Sequence, residues 1–328
     1  MLRIRLLVTA LVAAAGLAGA AHATTRTTAP AATLTKGVVL VTTNLAYENA
    51  SAAGTGIVLT KDGEIMTNNH VIRGATTINV IVPATKKTYS ASVVGYDPTD
   101  DIALIKVDGT ATFTTATRGD SSKLKIGQPT RAVGNANGGG KLVITTGKVT
   151  ALRQSIVVND DQGGTARLSG LIQTSAKLVP GDSGGPLLDA NGRVIGVDAA
   201  GSSNYQMQVS DGYAIPINKA YSLVKLMETG QASTLVHIGQ TAFLGMTVDE
   251  VTGGIVVEQI IPGGASEAAG LVPGDVMTSI DGQPLTTLDD LRAALFLHHP
   301  GDTVALGVID ALGNATTVTL APGDGPPQ

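Results

Sequence analysis

The hydrophobic positions between Gly37 and about Gly201 fall in many short runs, and they do not show the spacing of a helix. Valine, isoleucine and threonine dominate these runs, while glycine, asparagine and aspartate separate them. Short β-branched runs with turn residues between them are typical of an all-β sandwich or barrel. We therefore predict strands at residues 37–42, 56–60, 64–66, 78–82, 102–107, 142–146, 170–174 and 193–197.

Helical spacing first appears near the end of this region. Residues 218–227 place four apolar side chains on one face, which predicts an amphipathic helix. At the other end of the chain, residues 323–328 are rich in proline and glycine and show no periodicity. We expect this tail to be frayed.

A smaller mixed region begins at about Gly239. It contains predicted strands at residues 254–258 and 303–308 and a predicted helix at residues 288–298. Thr287 and the aspartate three residues later have the spacing of a capping box, in which side chains satisfy the first amides of a helix. The two halves of the pattern indicate two domains.

Residues 1–23 have the three parts of a secretory signal peptide, namely a basic start, an apolar stretch and a small-x-small cleavage site. We expect cleavage before Thr24 and a tether at residues 24–36. The alternative is an uncleaved anchor helix, but the apolar run is short for a membrane span and rich in alanine and glycine. The chain is thus expected to be an exported bacterial protein, secreted or in the cell envelope, with no stable membrane span after cleavage.

Composition excludes several classes of protein. The 328 residues include 22 basic and 26 acidic side chains, a formal charge of −4, whereas nucleic-acid binders carry a basic surface. The absence of cysteine excludes disulfide scaffolds, thiolate zinc sites, iron–sulfur clusters and cysteine nucleophiles. His298 and His299 are adjacent, so on a helix they point apart and do not form a metal pair. We expect no cofactor and no metal.

The segment Gly181–Pro186 reads Gly-Asp-Ser-Gly-Gly-Pro and is the sharpest chemical signal. A serine becomes a nucleophile when a base lies beside it and backbone amides stabilise the developing oxyanion. Glycines around Ser183 allow the tight turn that aims two amides at one carbonyl oxygen. The alternative is a glycine-rich β-turn without chemistry.

Two further segments favour the catalytic interpretation. Of the five histidines, only His70 lies in the β-rich region, where it follows an apolar strand. Asp101 ends a turn and opens another apolar strand, and a carboxylate there could orient the imidazole. The adjacent Asp100 is its rival. The chain order histidine, aspartate, serine is one of the known orders for a catalytic triad.

Residues 37–230 resemble a trypsin-like protease domain of the HtrA (Deg) branch. The resemblance is carried by the serine motif together with Thr67–Val71, Asp101–Lys106, Ala132–Ala136, Ile172–Ser175 and Gly212–Ile217. Residues 231–240 read as a linker, and residues 241–322 resemble a PDZ domain. The layout of signal peptide, protease and one PDZ domain is similar to that of the secreted actinobacterial HtrA-like proteases.

The resemblance implies a mainly β fold, with two six-stranded antiparallel β-barrels, an active site between them, and a small α+β PDZ domain after them. The resemblance implies that His70 is the general base, Asp101 its orienting acid and Ser183 the nucleophile. It also implies that the backbone amides of Gly181 and Ser183 form the oxyanion hole. In the PDZ domain it assigns the grip on a peptide carboxylate to Phe243, Leu244, Gly245 and Met246.

The sequence also departs from the HtrA pattern. Asp182 stands where the branch usually has asparagine, and we expect it either to bond within its loop or to repel substrate carboxylates. The resemblance puts Lys177, Leu178 and Val179 near the specificity pocket. Leu178 favours small aliphatic side chains of the substrate. An inward Lys177 would favour an acidic one, whereas the plainer interpretation places its ammonium in solvent.

The function expected from the sequence is that of a cofactor-free serine endopeptidase acting on unfolded or misfolded proteins, with C-terminal peptides bound at the PDZ domain. The alternative is a latent or inactive protease-like chaperone or peptide-binding scaffold. An esterase is excluded because hydrolases with the Gly-x-Ser-x-Gly elbow place the serine before the acid and the histidine. A homotrimer and a monomer both remain open.

Overall fold

The computed structural model describes residues 30–159, 165–199 and 212–328. The expected signal peptide and the first residues of the expected tether lie outside the described residues. Helix α1 (Ala31–Leu34) lies within the expected tether, and its Leu34 is buried in a core cluster. Within the described ranges, none of the helices is both long and apolar enough to cross a membrane.

The strands of the first barrel are β1 (Val38–Leu45), β2 (Ala50–Val58), β3 (Glu64–Thr67), β4 (Thr77–Val82), β5 (Lys87–Asp97) and β6 (Ile102–Val107). The barrel closes through these six antiparallel strands in the order β5-β4-β1-β2-β3-β6, with β6 pairing back onto β5. Helix α2 (Asn69–Ile72) follows β3 and precedes β4 in the chain.

The strands of the second barrel are β7 (Pro129–Gly134), β8 (Val143–Asn159), β9 (Thr165–Thr174), β10 (Pro186–Leu188), β11 (Val194–Asp198) and β12 (Gly212–Pro216). This barrel is also closed and antiparallel, in the order β10-β11-β12-β9-β8-β7. The expected pair of six-stranded barrels is thus confirmed.

Strand β6 shows why the first barrel contains unbroken apolar runs. Ile102 and Leu104 belong to the large core cluster that includes residues of the second barrel and of α3 (Ile217–Glu228). Ala103 and Ile105 alternate with them and belong to the core of the first barrel. A strand that is buried on both faces needs apolar side chains at every position. The joint core also fixes how the two barrels meet, and therefore where the residues between them lie.

The C-terminal region forms a separate sheet with its own core. The elements after α3 are β13 (His237–Ile238), β14 (Thr241–Phe243), β15 (Met246–Val251), β16 (Gly254–Ile260), α4 (Ala265–Ala268), β17 (Val276–Ile280), β18 (Gln283–Pro284), α5 (Leu288–Leu295), β19 (Val304–Ile309), β20 (Ala315–Leu320) and β21 (Gly323–Gly325). The strand order of this sheet is β15-β16-β17-β19-β20, and β18 pairs with β17. Helix α5 begins with the predicted capping box of Thr287 and Asp290.

The helix expected at residues 288–298 ends three residues early, at Leu295. Strand β13 lies inside the expected linker and pairs with β5, so it adds a seventh strand to the sheet of the first barrel. The expectation of a frayed tail is wrong. Strand β21 pairs with β14, and Pro327 beyond it is buried. Long-range backbone pairing satisfies a segment whose local sequence favours no element.

Candidate active site

His70 lies in helix α2, at the edge of the first barrel, and contacts Asp101 twice. Its ring Nδ1 is 2.8 Å from Oδ2 of Asp101, and its backbone N–H donates to Oδ1 at 2.9 Å. The Asp101 side chain is 11% exposed and that of His70 is 32% exposed. A buried carboxylate that accepts from Nδ1 fixes the tautomer and leaves Nε2 to act as a base.

The turn between β5 and β6 presents Asp101 to the histidine. Asp97 caps this turn, since its Oδ1 accepts from the amides of Thr99 at 2.8 Å and Asp100 at 3.1 Å. Asp101 has a φ of 54°, and its carbonyl accepts from Nδ2 of Asn68 at 2.7 Å. Burial raises the pKa of Asp97 to about 6. The turn therefore contains two buried carboxyl groups: that of Asp97 accepts from amides of the turn itself, and that of Asp101 accepts from His70.

The neighbouring acids Asp100 and Asp101 have different partners. The carboxylate of Asp100 forms an ion pair with Nζ of Lys219 in α3 at 2.5 Å. Asp101 is the one that contacts the imidazole of His70. A single peptide unit separates the two aspartates, and the left-handed backbone at Asp101 directs their side chains to different elements.

Ser183 is buried in the loop between β9 and β10. The amide of Asp182 donates to Val179, and the amide of Gly184 donates to Asp198. Gly181 has a φ of 91°, and a Cβ there would lie 2.2 Å from the carbonyl oxygen of Asn135. Only glycine fits this position, so the loop has the tight turn that the sequence predicted around the serine.

Thr55 joins the serine loop to the first barrel, and the sequence analysis did not identify it. Its backbone N–H donates to the carbonyl of Ser183 at 2.8 Å, and its hydroxyl donates to the carbonyl of Gly181 at 2.7 Å. The same hydroxyl accepts from the amide of Asn135 at 2.9 Å. The sequence shows only a threonine between Gly54 and Gly56, just before a short apolar run. The neighbouring residues in the sequence do not indicate that Thr55 contacts the serine loop.

Two acidic side chains are buried behind the serine loop. Oδ2 of Asp182 accepts from the amide of Val179 at 3.0 Å, which is the local bonding expected as one of two alternatives. Asp198 is fully buried, and within the described ranges neither of its carboxyl oxygens has a hydrogen-bond partner. Burial raises the pKa of both groups, and the nearby Asp182 charge raises that of Asp198 further. The charged form of each of these two carboxyl groups is therefore disfavoured.

The three residues proposed for the specificity pocket lie in the same loop as Ser183, on its N-terminal side. Lys177 is exposed, in line with the plainer of its two interpretations, and Val179 is half-buried. Leu178 packs on the start of β12, where a Cβ at Gly212 would lie 2.5 Å from the leucine Cγ. Leu178 thus presents an apolar surface beside the loop.

The loop Phe243–Met246 connects β14 and β15 and contains Gly245 with a φ of 79°. The carbonyl of Leu244 accepts from the amide and hydroxyl of Ser266, at 3.0 and 2.6 Å, and the carbonyl of Gly245 accepts from Ile261 at 2.9 Å. Peptide units are planar and trans, so the amides that follow these carbonyls point the opposite way. They point away from the domain interior, as a carboxylate-binding loop requires.

A groove of about 360 Å³ lies between β15 and α5, next to this loop. Apolar side chains from both elements line it, so it fits an extended peptide that ends in an apolar residue. Its apolar lining consists of Ala242, Phe243, Leu244, Met246, Val248, Leu288, Leu291 and Leu295.

Comparison with known proteins agrees with this architecture. A family model described as a trypsin-like peptidase domain matches residues 54–197, and a PDZ domain model matches residues 233–309. The first range runs from within β2 to within β11 and includes His70, Asp101 and Ser183. The second contains β13 and most of the C-terminal domain.

Several curated serine proteases are similar over most of this chain. Serine protease PepD of Mycobacterium tuberculosis is 35% identical, and the alignment covers 89% of this chain and 65% of PepD. Serine protease Do-like HtrA of Lactococcus lactis is 32% identical, with 83% of this chain and 71% of that protein covered. Periplasmic serine endoprotease DegP of Salmonella typhimurium is 34% identical, but the chain spans only 56% of its length.

Solved structures of the same kind also match. The HtrA-type protease AlgW with a bound tripeptide has a TM-score of 0.52 and 28% identity, over 90% of this chain and 98% of that one. AlgW with a decapeptide gives a TM-score of 0.51 at 26% identity. Both similarities extend across the barrels and the C-terminal domain.

Proposed function

Because this chain belongs to the HtrA family of trypsin-like serine proteases with a PDZ domain, we propose that it is a serine endopeptidase that hydrolyses peptide bonds of unfolded or misfolded proteins. The chain spans 65% of the length of PepD and 56% of that of DegP. The proposed activity is therefore argued from the residues of this chain and not from the activities of those proteins. The protease domain is proposed to span residues 37–230 and the PDZ domain residues 241–322.

The proposed mechanism uses three side chains. Nε2 of His70 takes the proton of the Ser183 hydroxyl as the serine oxygen attacks the scissile carbonyl. Asp101 holds the imidazole in the correct tautomer and stabilises the imidazolium that forms. His70 then gives the proton to the leaving amine, and an activated water hydrolyses the acyl-enzyme on Ser183 by the same route in reverse.

The oxyanion of each tetrahedral intermediate is proposed to lie against the backbone amides of Gly181 and Ser183. Such preorganised donors are worth roughly 3–4 kcal/mol of transition-state stabilisation. The carbonyls of these same two residues are held by Thr55, which supports a fixed orientation of the loop. Leu178 is proposed to contribute an apolar wall for a small aliphatic side chain before the cleaved bond.

The PDZ domain is proposed to bind C-terminal peptides by strand addition in the groove between β15 and α5. The amides of Gly245 and Met246 are proposed to hold the terminal carboxylate, and Phe243 and Leu244 to line the site of the last side chain. Export to the cell envelope or beyond is proposed from the signal-peptide pattern of residues 1–23, and DegP relatives are named as periplasmic. A homotrimer remains one proposal for the assembly.

The observation that carries the proposal is the double contact between His70 and Asp101. A histidine held at both its backbone and its Nδ1 by one buried carboxylate has the arrangement of a catalytic base. A latent scaffold is the second candidate, because the same residues can exist without an accessible, activated serine.

A fluorophosphonate probe separates the two candidates, since it reacts with activated serines. The chain lacking residues 1–23 is treated with the probe beside a Ser183→Ala variant, and casein cleavage is followed in parallel. Labelling and cleavage that both disappear in Ser183→Ala support the endopeptidase. A folded protein that neither labels nor cleaves, with or without a C-terminal peptide, favours the scaffold, and cleavage that survives Ser183→Ala excludes the proposed nucleophile.

A further inference from the structure

Residues 323–328, called the strap below, connect the C-terminal domain with the helix that carries His70. Strand β21 begins the strap and pairs with β14, with Gly323 opposite Phe243 and Gly325 opposite Thr241. After Gly325 the chain leaves this sheet, and Pro327 is buried against the first barrel. The strap therefore spans from the carboxylate-binding loop of one domain to the catalytic barrel of the other.

The end of the strap bonds to both ends of helix α2. The carbonyl of Gln328 accepts from Nδ2 of Asn69 at 2.9 Å, and the carbonyl of Pro327 accepts from the amide of Gly74 at 2.8 Å. Asn69 is the first residue of α2 and precedes His70, while Gly74 follows the end of the helix by two residues. His70 thus lies between the two points that the strap holds.

A third contact fixes the strap on the barrel. The phenolic oxygen of Tyr96, which is fully buried in β5, lies beside the backbone of Gln328. The same phenol is 2.6 Å from the hydroxyl of Thr241 in β14. Tyr96 therefore joins the strap, the barrel and the strand on which the strap lies.

Helix α2 needs such external contacts. It has four residues and no side-chain bond at its N-cap, and a helix of this length has no stability of its own. Val71 and Ile72 anchor one side of it in the core, and Asp101 holds His70. The strap supplies hydrogen bonds on another side of the helix.

We propose that the strap is a positioning element for the catalytic histidine, with Asn69 and the carbonyls of Pro327 and Gln328 as its contacts. This inference rests on the proposed function for its effect on catalysis. Gln328 also borders the groove between β15 and α5, so the strap physically joins the peptide groove to the helix of His70.

Two glycines of β21 provide a matched pair of variants. A Cβ at Gly325 would lie 2.6 Å from Cβ of Phe243, whereas a Cβ at Gly323 meets nothing within 4 Å. Gly325→Ala therefore displaces the strap from β14, and Gly323→Ala adds the same atom without a clash. Neither change touches a residue of the proposed catalytic machinery.

The first measurement is hydrogen exchange at the amide of Gly74, which the carbonyl of Pro327 protects. The second is fluorophosphonate labelling over a range of probe concentrations. In Gly325→Ala we expect exchange at Gly74 to be faster, and the maximal labelling rate to fall by about tenfold at an unchanged half-saturating concentration, because a misplaced base slows chemistry and not binding. Gly323→Ala should match the parent in both.

A second variant covers the case in which Gly325→Ala does not fold. Asn69→Leu keeps the branched shape and the number of heavy atoms of the side chain and removes the bond to Gln328. Among the described residues, the Oδ1 atom of Asn69 has no hydrogen-bond partner that the change would remove. It should slow labelling without changing exchange in the C-terminal domain. The inference is overturned if Gly74 exchange is unchanged in Gly325→Ala, or if exchange rises while both variants label at the parental rate.

The result also separates this inference from the proposed function. A parent chain that does not label at all contradicts the endopeptidase, and the strap is then tested by the imidazole NMR signals of His70. These should shift in Gly325→Ala and not in Gly323→Ala if the strap positions the helix. Unchanged His70 signals in both variants reject the strap.

Discussion

Asp101 accepts two hydrogen bonds from one residue, His70, and the two bonds have different donors. The backbone N–H holds the main chain of the histidine, and Nδ1 holds its ring. Since α2 has only four residues, the carboxylate of Asp101 anchors this helix, and in the proposed mechanism it also orients the base. One substitution can separate the two roles.

Asp101→Asn should keep the anchor and lose the orientation. The amide oxygen can still accept from the backbone of His70, but an NH₂ group facing Nδ1 selects the wrong tautomer. We expect kcat to fall by roughly 10³-fold or more with little change in KM. Steady-state kinetics on a peptide substrate measure both constants.

Asp100→Asn is the matched control for that experiment. It removes the ion pair with Lys219, which is partly exposed on both sides and is worth at most about 1 kcal/mol of stability. We expect kcat within about twofold of the parent value, because Asp100 does not contact the imidazole. Equal losses in the two variants would contradict the assignment of Asp101.

Asp97 makes the stability of the chain depend on pH. Burial raises its pKa to about 6 from an ordinary 3.8, so the folded state holds this proton more tightly than the unfolded state does. The stabilising effect of the protonated group is fully present below pH 3.8 and is lost as the pH rises through about 6. Charged Asp97 therefore costs stability at neutral pH.

Asp97→Asn should remove that cost and keep the cap of the turn, since its amide oxygen can accept from Thr99 and Asp100. We expect the variant to gain roughly 2–3 kcal/mol in free energy of unfolding at pH 7.5. The gain should shrink to near zero at pH 4. Urea unfolding at both pH values measures the difference, and a gain that does not vary with pH would refute the role of titration.

The sequence could predict the features that depend on local pattern. The apolar run of β6 and the glycines around Ser183 each determine their own backbone, and the structure has them at the expected residues. The capping box of Thr287 and Asp290 is another case, because both partners lie within one helical turn.

The remaining features depend on contacts between distant residues. Thr55 bonds to Gly181, 126 positions away, and Asn69 bonds to Gln328, 259 positions away. No periodicity or motif encodes such pairs. The proline-rich composition of residues 323–328 even predicted a frayed tail, whereas these residues pair with β14 and with Asn69. The burial of Asp182 and Asp198 is a similar case. In the sequence, Asp198 is only a polar residue at the end of an apolar run, and its complete burial depends on residues that are distant in the chain.

Gly245→Ala tests the proposal that the loop Phe243–Met246 binds a peptide carboxylate. The residue has a φ of 79°, and a Cβ would lie 3.0 Å from Cα of Gly264, so alanine strains the loop that aims the amides. We expect the affinity for a peptide with a free C-terminal carboxylate and an apolar last residue to fall by roughly tenfold. Fluorescence anisotropy with a labelled peptide measures it.

Two comparisons make that result specific. Gly239→Ala places alanine at a φ of 76° with nothing within 4 Å, and it should bind the peptide as the parent does. The same peptide with an amidated C-terminus should bind weakly to every variant, because it lacks the anion. Tight binding of the amidated peptide to the parent would contradict recognition of a carboxylate.

Asp182→Asn should stabilise the chain at neutral pH. The pKa of Asp182 is raised by burial, and its charge further raises that of the fully buried Asp198. Both groups therefore favour the folded state below the ordinary 3.8 and lose that contribution as the pH rises through their higher folded pKa values. Asparagine can still accept from the amide of Val179 through its Oδ1, and it carries no charge to repel Asp198.

We expect the melting temperature of Asp182→Asn at pH 7.5 to rise by about 2–4 °C, with a smaller gain towards pH 4. Differential scanning fluorimetry across this range measures it, and a melting temperature at pH 7.5 that is unchanged or lower would contradict the prediction.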